Sequence, residues 1–149
     1  MVLAWSRMMH VEFTLSQTTE QFLAAHVNAF NALGVPKKVM VDNLRCAVLR
    51  HPRGERAEFN PRYLDFARHY GFEIVACAVA KGNETGRVER GVGYVKGNFL
   101  SGLELPDFAA LNPAVRVWLE SVANVRLHRE THRRPLDLWA EERAYLQAP

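Results

Sequence analysis

The chain has 149 residues, 48% of them hydrophobic and 23% charged, and a formal net charge of +3. That length suits one modest globular unit with a sizeable core, and the apolar content argues against disorder. No apolar run approaches the roughly 20 residues needed to cross a bilayer, and no secretory leader pattern opens the sequence, so a reducing cytoplasm is the expected setting and Cys46 and Cys77 are expected to be unpaired.

In chain order, Val2 to Trp5 and Met8 to Phe13 read as two short strands joined through Ser6-Arg7. Thr18 with Gln21 offers a capping box, after which Phe22, Leu23, Val27, Phe30 and Leu33 recur at helical spacing until Gly34. Lys38 to Val41 reads as a strand ending in Asp42, and residues 50 to 58 as a polar loop. Asn60 as cap and Pro61 at the first helical position begin a helix that Gly71 stops. Phe72 to Val79 has the length of a buried strand. A long helix is expected from about Glu84 to Leu100, with Val88, Val92, Val95 and Phe99 as one apolar stripe and Glu89 at its edge. Pro113 after Asn112 opens a further helix whose Val115, Trp118, Leu119 and Val122 read as core rather than as a platform for stacked bases. Leu136 to Tyr145 closes the series as a short helix. Such alternation suits an α/β layer.

Two carboxylates draw attention to the chemistry. Asp42 is delivered by the end of a strand, and Glu89 follows 89 − 42 = 47 positions later near a helix start. Carboxylates fixed on neighbouring rigid elements can share a divalent metal, which is what metal-assisted phosphodiester chemistry requires. The blander reading of Glu89 is an ion pair with a nearby basic residue. Glu84, the nearest competitor, is explained by the helix dipole. Lys96, seven residues beyond Glu89, falls two turns along the same face, where it could meet a phosphate. The stretch Arg126 to Arg134 carries four arginines and two histidines against one acid, enough to attract phosphate locally, with a solvated loop as its alternative. His128 and His132 do not make a zinc-protease motif, because Glu130 sits at the wrong offset. The glycines between residues 82 and 97 are not followed by the Gly-Lys-Ser or Gly-Lys-Thr of a phosphate loop.

Several stretches then fall into one ordered pattern: Ser6-Arg7 leading to Val11-Glu12-Phe13, Val41-Asp42-Asn43-Leu44, the run from Phe59 to Phe72, Gly86-Arg87-Val88-Glu89-Arg90, and Arg134-Pro135. Together they resemble the catalytic core of the IstA-like transposases, members of the retroviral-type integrase superfamily. The resemblance implies an RNase H-like α/β fold, a mixed sheet flanked by helices, with residues 1–105 as a partial integrase core and 106–149 as its C-terminal helical extension. It implies Asp42 and Glu89 as catalytic metal ligands for Mg2+ or Mn2+, with Asn43 near the metal. Lys96, Arg126, Arg129, Arg133 and Arg134 would contact DNA. Transposon-end and target DNA, further copies of the chain and an IstB-type helper ATPase are the implied partners.

Two departures accompany it. The superfamily uses three acids, the first on a strand preceding the hairpin, and no Asp precedes Asp42 here, so an N-terminally truncated core unable to cut or join DNA by itself is expected. The segment Ala78 to Thr85 differs from the Pro-rich basic loop of the relatives, although it remains a candidate DNA contact. Gly91, Gly93 and Gly97 each cost a helix roughly 1 kcal/mol relative to Ala, which implies either close packing or a decaying gene. A non-catalytic DNA-binding or interfering remnant, and an RNase H-like nuclease without strand transfer, are the alternative functions.

Overall fold

The structure is a computed structural model that describes residues 1–78 and 82–149, with residues 82–85 described by their backbone alone. The chain forms a mixed α/β arrangement of helices and small sheets in two compact units: Met1–Phe13 with Arg87–Tyr145, and Thr14–Gly86 with Leu146–Pro149. Residues 1–13 join the first unit by packing against helices from beyond residue 86.

The second unit begins with α1, Thr19–Leu33, capped by the Thr18 hydroxyl, which accepts the Gln21 N–H, and ended at Gly34. β1, Lys38–Val41, buries Val39 and Val41 and turns Lys38 and Met40 outward. β2, Val48–Arg50, and β3, Glu58–Phe59, form a short antiparallel hairpin around the expected polar loop. α2, Pro61–Tyr70, has Asn60 accepting from Arg62 N–H, proline in its first turn and Gly71 in the left-handed conformation at its end. β4, Glu73–Ala76, lies parallel to β1, in register from Lys38 opposite Glu73 to Val41 opposite Ala76. Parallel neighbours need a crossover between them, and α2 lies on the chain that supplies it. Phe30, Val35 and Tyr63 are fully buried, and the rings of Phe22, His26, Phe66, Tyr70 and Phe72 gather around Phe30 and Tyr63. Val35 and Gln147 exchange backbone hydrogen bonds of 2.9 Å in both directions, which brings Leu146–Pro149 into this unit.

The first unit is helical around its own core. α3, Gly82–Tyr94, enters it and passes into a π-helical turn, Val95–Leu100. α4, Leu111–Trp118, similarly runs into a second π turn, Leu119–Ala123, and α5 spans Pro135–Glu142. Val95, Phe99, Val115, Trp118, Leu119, Ala123 and Met9 form the core, so the Trp118 helix is packing, as its spacing predicts. Val122, expected beside them, is 39% exposed.

Two expectations are corrected here. The anticipated hairpin at residues 2–13 is reduced to a single antiparallel bridge between Val2 and Met9 around a tight turn at Arg7. Its backbone is instead satisfied by side chains: Asn124 bonds Met9 and Asn112 bonds Phe13. The second correction concerns the stripe on α3. Val95 and Phe99 are buried, but Val88 and Val92 are 53% and 48% exposed. The packed line runs through Gly91, Val95 and Phe99 in steps of four. A Cβ on Gly91 would stand 3.3 Å from Met9 Cε and 3.5 Å from Val2 Cγ2, so the glycine lets the N-terminal turn approach the helix closely.

Candidate functional site

Asp42 follows the last residue of β1, at the carboxyl end of a parallel pair, where ligands of open α/β sheets bind. Its side chain is exposed, and Oδ1 accepts the Leu44 N–H at 3.2 Å in an Asx turn. The loop continues tightly, with Ala47 and Val48 both donating to the Leu44 carbonyl at 2.8 Å. Asn43 Oδ1 accepts from His51 Nδ1 at 3.2 Å, tying this loop to the end of β2. Local bonds thus hold the Asp42–Asn43 turn in one shape within the second unit.

Glu89 belongs to the first unit, exposed on α3. At 100° per residue it lies about 160° around the helix from Gly91, so it sits opposite the packed line rather than at its edge. Lys96 is exposed in the π turn, whose wider winding breaks the simple seven-residue relation to Glu89. Glu84 and the segment from Val79 to Thr85 lie outside the described residues or side chains.

The basic stretch is more neutral than its own sequence count. Arg134 makes a bidentate pair with Asp137, Nε to Oδ2 at 2.7 Å and Nη2 to Oδ1 at 2.9 Å, and Arg133 pairs with Glu141. Both acids are on α5, and hydrogen bonds from these arginines hold their carboxyls below the usual range. Arg126 stacks over the Tyr94 ring at 4.1 Å and donates to the Ala123 carbonyl. Arg129 is exposed. Glu130 lies between Arg7 and Arg90, at 3.1 Å and 3.5 Å, and the Arg90 cation is the main influence holding its carboxyl below the ordinary range. The sequence reading missed Arg7 and Arg90; their only signal was membership of the ordered motifs.

Carboxylates are hard oxygen donors, and Mg2+ usually takes only one or two of them alongside waters and substrate phosphates, so the residue types at Asp42 and Glu89 fit such an ion. Among the described residues no group of three His, Cys, Asp or Glu side chains comes together as a ligand set. Cys46 and Cys77 are free and buried. No described helix is long and apolar enough to cross a membrane.

No family model matches the chain. The transposase for insertion sequence element IS21 of Pseudomonas aeruginosa is 35% identical over 147 residues, 97% of this chain and 37% of that protein. That for IS640 of Shigella sonnei is 34% identical over 89% of this chain and 42% of its own length. An IS21-like transposase of Bacteroides fragilis is 32% identical over 98% of the chain and 28% of its length. The chain therefore spans between 28% and 42% of the length of these relatives. Sequence identity sustained along nearly the whole chain, across several such transposases, places it in the IstA-like insertion-sequence transposase family.

Proposed function

We propose that this chain is the DNA-handling, integrase-type portion of an insertion-sequence transposase, built on an RNase H-like arrangement of which β1 and β4 are the parallel centre. The observation that carries the reading is the alignment with insertion-sequence transposases over almost its full length. Asp42 and Glu89 would hold Mg2+ or Mn2+, with Asn43 beside Asp42 keeping the loop in place through His51. Held by these carboxylates, such an ion would supply Lewis acidity toward a hydroxyl and a phosphodiester oxygen. Lys96, Arg126, Arg129, Arg133 and Arg134 contact the DNA backbone, which fixes register without reading sequence. Transposon ends and target DNA, further copies of the chain and an IstB-type ATPase complete the proposed partner set.

The test uses the chain itself. Fluorescence anisotropy should show weak, sequence-independent binding to duplex DNA that falls steeply with salt. Mn2+ should broaden NMR signals of the loop after β1, and Asp42→Asn should remove that broadening. With two of the three acids that the family resemblance implies, the chain alone should not cleave DNA in either metal. Absence of DNA binding would sink the nucleic-acid reading, and Mn2+ broadening that survives Asp42→Asn would sink the metal assignment.

A further inference from the structure

Within the first unit, a basic cluster forms around a single acid. Arg7 comes from the turn between Leu3 and Met8, Arg90 from α3, and Arg126 and His128 from the segment after the second π turn. Glu130 Oε2 accepts from Arg7 Nη2 at 3.1 Å, and its Oε1 stands 3.5 Å from Arg90 Nη2. Its backbone N–H donates to His128 Nδ1 at 3.2 Å. Burial first, then the cations of Arg126 and Arg7, push His128 below its ordinary range, so these groups share one field. Two guanidiniums, those of Arg7 and Arg90, face one carboxylate, and Arg126 adds its charge beside His128, so the cluster stays positive with Glu130 in place.

Details of Arg7 set it apart from a surface cation. Its side chain is 13% exposed, its backbone adopts φ 63°, and its Nε is buried without a partner among the described residues. Left-handed backbone at a non-glycine residue persists only where its surroundings impose it. Glu130 and Arg90, by contrast, have side chains 45% and 67% exposed, open to a large ligand. The Arg90–Glu130 pair is exposed, and exposed ion pairs contribute little net stability, so exchanging the carboxylate for another anion costs little on that side, while the more buried Arg7 needs an anion to replace it. A carboxylate and a phosphodiester both present two oxygens to a guanidinium fork.

We propose that Arg7, Arg90, Arg126 and His128 form a phosphate-binding site that Glu130 closes from within, its carboxylate standing where a DNA phosphodiester binds. The proposal rests on the DNA reading above and deepens it: a phosphate drawn to Arg90 lies one residue from Glu89. Displaced by DNA, Glu130 releases two cations at once, and the chain binds DNA less tightly than its charge allows until that exchange occurs.

Duplex DNA affinity of the full chain, Glu130→Gln, and Glu130→Gln with Arg90→Gln, measured across a salt series, tests this. Glu130→Gln should bind about three- to tenfold tighter, with a log–log salt slope steeper by about 1 to 2, as expected for one or two added phosphate contacts. Arg90→Gln on that background should remove most of the gain. A folded Glu130→Gln variant with unchanged affinity and slope overturns the proposal, as does a gain indifferent to Arg90→Gln. DNA binding by the unaltered chain judges the broader reading separately. If no variant binds DNA, inorganic phosphate decides: it should raise the melting temperature of Glu130→Gln more than that of the unaltered chain, and equal shifts overturn the site.

Discussion

Asn124 grips Met9 by both edges of its amide, Oδ1 accepting the Met9 N–H at 3.0 Å and Nδ2 donating to the Met9 carbonyl at 2.9 Å. Asn112 does the same for Phe13, at 2.8 Å and 2.9 Å. Each side chain supplies one rung of a strand ladder on an edge that, among the described residues, has no strand beside it. Asn124 is only 4% exposed, so Asn124→Leu would strand a buried backbone donor and a buried acceptor. The expected loss is about 2–4 kcal/mol. Chemical denaturation should read it directly. Asn124→Asp, which keeps the acceptor but not the donor, should also destabilise, and a loss under about 1 kcal/mol for the leucine variant would contradict this assignment.

His26 has a defined tautomer. Phe22 O only accepts, so Nδ1, 2.9 Å away, must donate, and neutral Nε2 then accepts from the Tyr63 hydroxyl at 3.1 Å. Burial lowers the His26 pKa from 6.5 in the folded chain. The unfolded chain therefore takes up the proton first as pH falls. His26 contributes its stability in full above pH 6.5 and loses it progressively below, down to the lowered folded value. His10 and His128 shift in the same direction, so the measurement is a difference: the fall in stability from pH 7 to pH 5 should be shallower in His26→Phe than in the unaltered chain. An equal fall would mean the ring is protonated at little cost. Tyr63→Phe should cost about 1–2 kcal/mol at pH 7 by leaving Nε2 unpartnered.

Charge partners rank the proposed DNA contacts. Arg134 is engaged by both oxygens of Asp137, and Arg133 by Glu141, whereas among the described residues neither Arg129 nor Lys96 makes an ion pair with a carboxylate. Lys96→Ala and Arg129→Ala should each reduce the salt slope of DNA binding by about 1, and Arg134→Ala by less. Identical slopes for Arg129→Ala and Arg134→Ala would show that Asp137 does not compete with phosphate.

Gly34 carries φ 91°, and a Cβ there would lie 3.0 Å from Leu146 Cβ and 3.3 Å from its Cδ1. Gly54 has a similar φ of 81° with open space around it among the described residues. Gly34→Ala should therefore destabilise by about 1–3 kcal/mol more than Gly54→Ala, the difference measuring overpacking alone. Thermal melts of the two variants at one pH provide the comparison, and coincident melts would rule out the contact with Leu146.

Legibility followed the range of the interactions. α1 and α2 are bounded by local chemistry, Thr18 and Gly34 for one, Asn60 with Pro61 and Gly71 for the other, and both ends were readable. β1 and the position of Asp42 were readable for the same reason. Residues 8–13 have strand-like residues, but their hydrogen-bond partners are side chains about a hundred positions away, which no local pattern reveals. The face of α3 was misread because Gly91 lies on its packed line and glycine carries no apolar signal, while Val88 and Val92 do. That moved Glu89 from the edge of the packed face to its far side. The acids that balance Arg133 and Arg134 come from the next helix, so counting charge within the loop alone overstated its field.

The hydrogen bonds between Val35 and Gln147 have a consequence for synthesis on the ribosome. Most of the second unit is translated early, yet the residue that pairs with Val35 emerges only after all of the first unit has been made. The first unit is likewise opened by residues 1–13 and completed some seventy positions or more later, since Met9 must wait for Asn124. Neither unit can close while the nascent chain is short, and loops of this span are slow to form. Until Gln147 is released, the Val35 backbone stays unpaired and available to chaperones, or to a neighbouring nascent chain on the same message.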